Sequence, residues 1–178
     1  EVPVDVEPAE LEAKGPVEYY EEDVPSGELV SVSGDATTYQ TSAKTFETVV
    51  GGIDATYTDE NGELQLIDNT LERVDQSAGA HYENSANAYT AKLPDAMADG
   101  EGLVVEKDGR QVELVPRDGD FTRSAVEGNA IRYTEVREGI DYQYTLVGSL
   151  IKEDIVLNKQ VEPQEFATLV KVGPDMRV

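Results

Sequence analysis

The sequence contains no cysteine and no tryptophan, and His81 is its only histidine. Without cysteine the chain can form neither a disulfide framework nor a thiolate metal site. A zinc site or a nucleophilic triad would need further partners for His81, which leaves only a carboxylate-dominated metal site. We therefore expect no cofactor, and we interpret His81 as a solvated loop residue. No apolar run approaches the roughly 18 residues of a spanning helix, so no membrane insertion is predicted.

Basic residues are also scarce. Lys and Arg number 14 against 37 Asp and Glu, which gives a formal net charge of 14 − 37 = −23. Such a field repels nucleic-acid phosphates and anionic membrane surfaces, so nucleic acid is excluded as an expected partner. The charge suits an extracellular surface that must stay soluble or that attracts cations.

Acidic residues and proline dominate residues 1–27, where Lys14 is the single basic residue. A segment of this composition buries too little apolar surface to offset its ordering entropy, so it is predicted to be a linker or tail. Val2, Val4 and Val6 alternate, however, and this alternation allows an added edge strand. Residues 28–178 are long enough for one domain with a core of its own.

The clearest local pattern runs from Ile140 to Leu157. Apolar and polar residues alternate as in a half-buried strand, up to Gly148-Ser149. A two-residue connection with Gly first favours a type II′ hairpin turn, because Gly reaches positive φ without steric cost. One face of this hairpin then carries Leu146 opposite Ile151, Tyr142 opposite Ile155, and Ile140 opposite Leu157. The other face carries Asp141, Gln143, Lys152 and Asp154.

Turn signals divide the rest of the chain into short strands. Asp108-Gly109 predicts a type I′ hairpin over Leu103–Val115, with Val105 opposite Val112 and Leu103 opposite Leu114. Gly62 is predicted to take the left-handed position of the loop at residues 59–62. Further strands are predicted at Leu29–Val32, Thr45–Val50, Ile53–Thr58, Leu64–Asp68, Ala88–Leu93, around Tyr133, and at Glu165–Val172.

Helical patterns are nearly absent. Residues 33–43 read as a polar connection, and Asp95–Glu101 is the only plausible short helix. About ten strands with turns between them predict an all-β fold, an antiparallel β-sandwich built from consecutive hairpins with little helix.

Several phrases of the sequence occur together in a known family. They are Lys44-Thr45-Phe46, Tyr57 with Asp59-Glu60-Asn61-Gly62, Ile67-Asp68-Asn69-Thr70-Leu71, Tyr82-Glu83-Asn84 with Ala86-Asn87, Gly139-Ile140-Asp141, and Ile151 through Leu157. In this order they resemble the N-terminal region of wall-associated RHS/YD-repeat proteins of Gram-positive bacteria, in which a DNRLRE-type domain often follows. The likeness covers roughly Lys44 to Val172.

The resemblance implies a secreted, cell-wall-associated region upstream of repeats. Its expected partners are downstream domains of the same polypeptide, with cell-wall or surface glycans as further candidates. The family supplies no catalytic motif, so no catalytic, cofactor-binding or metal-binding residues are transferred. The function expected is a non-catalytic structural or interaction module, and the chain is not expected to be an enzyme.

Three carboxylates on the predicted Ile140–Leu157 hairpin are candidates for a glycosidase pair: Asp141, Glu153 and Asp154. Glycoside hydrolysis needs two acidic groups at a fixed separation flanking a sugar. Asp141 and Asp154 face away from Glu153 in the predicted register, and tryptophan, a frequent sugar platform, is missing. The hairpin is therefore not predicted to be catalytic.

A carbohydrate- or calcium-binding module is the alternative function. Asp59 through Glu63 looks superficially like a calcium loop, but the spaced ligands of such loops are missing, so a hairpin turn is favoured. Gly51-Gly52 is too short a signal for phosphate binding. The nine tyrosines are best interpreted as one packed face of a sandwich. The alternative interpretation is a carbohydrate-binding face.

The predicted register also places Glu153 directly across from Tyr144 on the apolar face. An unpaired carboxylate there would cost several kcal/mol, so a polar partner is required. The candidates are the Tyr144 hydroxyl, a basic residue such as Arg132, or exposure at the sheet rim. We expect a partly buried Glu153 with a polar partner and a structural role.

Overall fold

The computed structural model describes residues 27–33, 36–50, 56–76, 79–162, 164–174 and 176. These residues form fifteen strands and no helix. None of them forms a helix long and apolar enough to cross a membrane. The strands are β1 (Glu28–Ser33), β2 (Ala36–Ser42), β3 (Thr45–Val50), β4 (Thr56–Thr58), β5 (Leu64–Leu66), β6 (Asp68–Gln76), β7 (Gly79–Ala86), β8 (Thr90–Pro94), β9 (Leu103–Lys107), β10 (Arg110–Pro116), β11 (Ser124–Glu127), β12 (Ala130–Arg137), β13 (Ile140–Val147), β14 (Leu150–Leu157) and β15 (Thr168–Val172).

All the strand pairings are antiparallel, and they form four sheets. The two large sheets have the orders β15-β10-β9-β8-β7-β6 and β11-β12-β13-β14, and the two small ones are β1-β2-β3 and β4-β5. Within each sheet, neighbouring strands are consecutive in the chain, with the single exception of β15, which returns to pair with β10. The fold is therefore the predicted all-β sandwich of consecutive hairpins.

The hydrophobic core lies between the two large sheets. The six-stranded side contributes Leu71, Ala91, Leu93 and Leu103 among others, and the four-stranded side contributes Ile131, Tyr133, Ile140, Tyr142, Tyr144 and Leu146. Edge-to-face contacts join the aromatic rings, with the Phe121 centroid 5.2 Å from that of Tyr142 and 5.7 Å from that of Tyr133. No described residue of the two small sheets belongs to this core cluster.

The predicted Ile140–Leu157 hairpin is confirmed pair by pair. Leu146 lies opposite Ile151, Tyr142 opposite Ile155, and Ile140 opposite Leu157. Gly148 has φ +53°, as the first position of a type II′ turn requires, and Ser149 is not among the residues with positive φ. Local turn chemistry and apolar alternation therefore select the same register.

The two other turn predictions are also confirmed. Asp108 and Gly109 have φ of +50° and +71°, the two left-handed positions of a type I′ turn, and Val105 lies opposite Val112. Gly62 has φ +83° in the loop between β4 and β5.

Three strands were missed or underestimated because their sequences are polar. The polar connection predicted at residues 33–43 contains β2, the central strand of its sheet, in which Thr38 Oγ1 lies 2.9 Å from Thr48 Oγ1 of β3. β6 and β7 form a long hairpin through polar residues for which no strand is predicted. Threonine is β-branched and favours strands, so the polar composition concealed a strand propensity.

The predicted helix at Asp95–Glu101 is wrong. Met97 pairs with Phe121 in an isolated β-bridge, and Gly100 has φ +82°. Met97 is buried in the core, so tertiary packing overrides the weak helical propensity of this segment.

Some predictions lie outside the described residues. They are the linker assignment for residues 1–26, the added strand at Val2, Val4 and Val6, the glycine pair Gly51-Gly52, and the first part of the strand at Ile53–Thr58.

Candidate functional site

Asparagines from the distinctive sequence phrases meet at one end of the sandwich, around the Gly148 turn. Asn69 of β6 and Asn87, just after β7, each donate an Nδ2–H to the Gly148 carbonyl oxygen, at 3.0 and 2.8 Å. Asn87 Nδ2 also lies 2.9 Å from Asn69 Oδ1, and Asn87 Oδ1 accepts the Ala88 N–H. The two amides therefore connect the six-stranded sheet to the hairpin turn of the four-stranded sheet. We call Asn69, Asn87 and the Gly148 carbonyl the asparagine latch.

A third asparagine holds the segment that follows β7. Asn84 is buried; its Nδ2 donates to the Tyr89 carbonyl and its Oδ1 accepts the Ala91 N–H. The Tyr89 hydroxyl in turn donates to the Leu150 carbonyl on β14 at 3.3 Å. A buried asparagine without partners would carry a large desolvation cost, so these bonds are what allow it there.

Asp141 is the centre of a second polar cluster, on the outer face of β13. Its Oδ2 accepts from Arg132 Nε at 2.9 Å and Nη2 at 2.6 Å, and its Oδ1 accepts the Glu135 N–H at 2.7 Å. Glu135 has φ +51° within a bulge where the β12–β13 register shifts. The buried carboxylate therefore ties down a strained backbone position as well as an arginine.

The ionisation of Asp141 follows from these contacts. Burial by itself raises the pKa of this carboxyl, but the polar contact with Asn158, the Glu135 N–H and the Arg132 guanidinium together outweigh it and hold the pKa below its ordinary value. An aspartate held ionised by fixed donors does not suit proton donation to a sugar, which needs a raised pKa.

The three candidate carboxylates, Asp141, Glu153 and Asp154, are not brought together. Asp141 is committed to Arg132, Asp154 Oδ1 pairs with Lys152 Nζ at 2.8 Å, and Glu153 lies on the other face of β14. The structure therefore offers no carboxylate pair that flanks a common space at this hairpin.

Glu153 lies directly across from Tyr144, as predicted, but it is exposed rather than partly buried. Arg132, the basic partner considered for it, binds Asp141 on the opposite face instead. The Tyr144 hydroxyl is fully buried and makes no hydrogen bond of ordinary geometry. Burial raises the pKa of this hydroxyl, and the negative charge of the nearby Glu153 raises it further.

His81 is not the solvated loop residue that was predicted. It lies in β7, opposite Val74 of β6 and Pro94 of β8, with its side chain mostly buried. Its Nε2 lies 2.7 Å from Glu83 Oε1. The Gly/Ser/Asn-rich surroundings suggested a loop, whereas the β6–β7 hairpin uses these small residues within a long ladder.

The loop at Asp59 is a hairpin turn, as favoured. Asp59 Oδ1 accepts the backbone N–H groups of Asn61 and Glu63, each at 2.9 Å, and Oδ2 accepts from Gln65. The Glu63 N–H is the main cause that lowers the pKa of Asp59. Both carboxylate oxygens thus serve the turn itself, and within the described ranges no group of three or more potential metal ligands is found.

Five of the seven described tyrosines are buried, and Tyr57 and Tyr82 are half-buried. Tyr133, Tyr142 and Tyr144 are fully buried, and Tyr39 and Tyr89 are nearly so. The Tyr133 hydroxyl donates to the Pro94 carbonyl at 2.5 Å, which joins the two large sheets. This agrees with a packed sandwich face and gives no aromatic platform for a sugar among these residues.

Arg137 is a structural residue that sequence reasoning missed. Its guanidinium donates to the backbone carbonyls of Arg117, Asp118 and Glu165, and it stacks over the Phe166 ring at 5.2 Å. The only signal was a lone arginine before the Glu138-Gly139 turn, which does not identify distant carbonyl partners.

One open depression of about 300 Å³ lies at the edge of the six-stranded sheet, beside the end of β15. Its charged lining residues are Arg110, Glu113 and Lys171. Lys171 Nζ contacts both Glu113 oxygens at 3.1 Å, so much of this charge is already paired.

Comparison of the chain with family models, with curated proteins and with solved structures returns no match.

Proposed function

We propose that this chain is a non-catalytic structural or interaction module of a larger extracellular, cell-wall-associated bacterial protein. Its partners under this proposal are downstream domains of the same polypeptide, with cell-wall or surface glycans as further candidates. The resemblance to the N-terminal region of RHS/YD-repeat proteins supports the assignment to that class. The strongly acidic composition supports an extracellular surface.

The observation that carries the proposal is the use made of the distinctive polar residues. Asn69, Asn84 and Asn87 donate to backbone carbonyls of the protein itself. The Asp141 carboxylate accepts hydrogen bonds from Arg132 and from the N–H of Glu135 in the bulge. In a binding or catalytic site, such groups would be directed at a ligand. Here their donors and acceptors instead form hydrogen bonds that join the two sheets and hold the bulge at Glu135.

Direct binding measurements distinguish the structural module from the alternative function, a carbohydrate- or calcium-binding module. A glycan array and calcium titration calorimetry on the whole chain should both give flat responses. Saturable binding of one glycan, or a calcium site occupied at micromolar concentration, would replace the structural proposal with a binding module.

Variants link the test to the residues that carry the proposal. Asn87→Ala should lower the free energy of unfolding. It should leave any weak binding of glycan or calcium unchanged. If Asn87→Ala instead removes a measurable binding signal while the free energy of unfolding stays unchanged, the residue belongs to a ligand site.

A further inference from the structure

β15 differs from the other outer strands of the two large sheets in carrying no acidic residue. β6 contains Asp68, Glu72 and Asp75, β11 contains Glu127, and β14 contains Glu153 and Asp154. Charges of this kind normally protect exposed strand edges against pairing with other chains. In a protein with 37 acidic residues, an outer strand without Asp or Glu is an exception, and the only charged residue of β15 is Lys171.

The charge that β15 does carry is compensated. Lys171 Nζ pairs with Glu113 on β10 and donates to the Gly100 carbonyl at 2.7 Å. Leu169 and Val170 are exposed. The strand therefore presents apolar side chains and an uncharged backbone edge.

Backbone hydrogen bonds determine which groups of β15 face outward. The Gly173 N–H donates to the backbone carbonyl of Gln111, and the Arg117 N–H donates to the backbone carbonyl of Ala167. Hydrogen-bonded pairs alternate along an antiparallel ladder, so they fall on odd-numbered residues of β15. The N–H and C=O groups of Thr168, Val170 and Val172 consequently point away from β10. Thr168 lies opposite Pro116, which has no N–H to offer, in agreement with this assignment.

These outward groups fit a second copy of the same strand. We propose that β15 pairs antiparallel with β15 of another copy of this chain, about a two-fold axis at Val170. Val170 then exchanges hydrogen bonds with its own counterpart, and Thr168 does so with Val172. Leu169 lies beside Lys171, and no like charges face each other across the new ladder. The six-stranded sheets of the two copies become continuous.

The association is weak and depends on salt. A strand of five residues buries well under the roughly 800 Å² per partner of a stable interface. Each copy also carries a formal charge of −23, so the two repel each other at low ionic strength. Screening by added salt should therefore strengthen the dimer, the opposite of what an ion-pair interface would show.

Cysteine cross-linking gives the sharpest test, because the natural sequence contains no cysteine. Residues in a hydrogen-bonded antiparallel pair have Cα atoms about 5.5 Å apart, within disulfide range. Val170→Cys should form a disulfide-linked dimer under mild oxidation, and faster in high salt. Leu150→Cys is the matched control, because Leu150 is 61% exposed against 49% for Val170 but lies away from the axis. Cross-linking by random collision would favour the control.

Sedimentation velocity on the cysteine-free protein completes the test, at about 0.05 M and about 0.5 M sodium chloride. Val170→Pro removes an outward N–H without breaking a bond to β10, and should raise the dissociation constant of the dimer at least about tenfold. Val170→Glu places two carboxylates at the two-fold axis and should raise the dissociation constant by at least the same factor. Val170→Thr retains the shape and the N–H, so it should associate like the natural protein. A protein that stays monomeric at every concentration and salt, or dimers that tolerate Val170→Glu, would overturn the proposal, as would equal cross-linking of both cysteine variants.

Discussion

At the scale of single residues, the core tyrosines Tyr133 and Tyr144 are equally buried but differ in the hydrogen bonding of their hydroxyl groups. Both rings are fully buried, and their centroids lie 6.2 Å apart. The Tyr133 hydroxyl has a backbone acceptor, whereas the Tyr144 hydroxyl has no hydrogen bond of ordinary geometry. An unsatisfied buried hydroxyl costs about 1–3 kcal/mol, so the two groups should respond differently to removal.

We predict that Tyr144→Phe leaves the free energy of unfolding unchanged or raises it by up to about 1 kcal/mol, because it removes an unsatisfied polar group. The matched variant Tyr133→Phe should lower it by about 0.5–1.5 kcal/mol through loss of the bond to Pro94. Urea unfolding measures both. Equal losses in the two variants would show that Tyr144 does hydrogen-bond, with Glu153 as the nearest candidate.

Asp141 should contribute to the acid sensitivity of the protein. Its pKa is lower in the folded state than in the unfolded state, so its contribution is complete above the unfolded value near 4 and is lost as pH falls through the folded value. Asp141→Asn should therefore lower stability at pH 7 and flatten the loss of stability below about pH 4. Removing the side chain with Asp141→Ala should cost about 1–3 kcal/mol, since the Glu135 N–H and the partly exposed Arg132 guanidinium lose their acceptor. Unfolding titrations from neutral to acid pH compare the variants, and parallel acid curves would contradict this role.

At the scale of elements, hairpins were predictable where turn chemistry and alternation agreed. Gly148 and Asp108-Gly109 fixed their turns, and every cross-strand pair named for these hairpins is present. β2 and β6 were not predicted because their residues are mostly polar, and β15 was predicted as a strand without a partner. Its pairing with β10 spans more than fifty residues of sequence, which local patterns do not encode.

The polar contacts were the least predictable part of the candidate site. The asparagines were noticed as sequence phrases, but their common acceptor, the Gly148 carbonyl, lies 79 residues from Asn69. The strained φ of Glu135 likewise depends on Asp141 being buried beside it. Sequence periodicity predicts which face of a strand is apolar, and says little about which distant backbone group a side chain will meet.

The Gly148 turn should tolerate little change. Gly148→Ala places a Cβ at a left-handed position and should cost about 1–2 kcal/mol. Gly148→Asn should cost less, because asparagine visits this region more readily. Thermal and urea unfolding compare the two, and a neutral Gly148→Ala would contradict the turn geometry.

At the scale of the whole molecule, net charge is the dominant property. A formal charge of −23 on 178 residues repels itself in the compact state. Both large sheets nevertheless enclose one apolar core, so burial outweighs this repulsion. The repulsion should remain visible in the response to salt.

We predict that the melting temperature rises from low salt to about 0.5 M sodium chloride, where the Debye length is well below 10 Å. Calcium chloride at equal ionic strength is the control. A larger gain with calcium than with sodium would indicate a specific calcium site, and no gain with either salt would show that self-repulsion does not limit stability.

The central claim is that the distinctive polar residues join the two sheets rather than bind a ligand. A double-mutant cycle on Asn69→Ala and Asn87→Ala, followed by urea unfolding, measures this directly, with exposed Gln160→Ala as a control. Each asparagine variant should lose about 1–3 kcal/mol, and the pair should show a coupling energy of at least about 0.5 kcal/mol. Single losses no larger than that of Gln160→Ala, with no coupling, would contradict the claim.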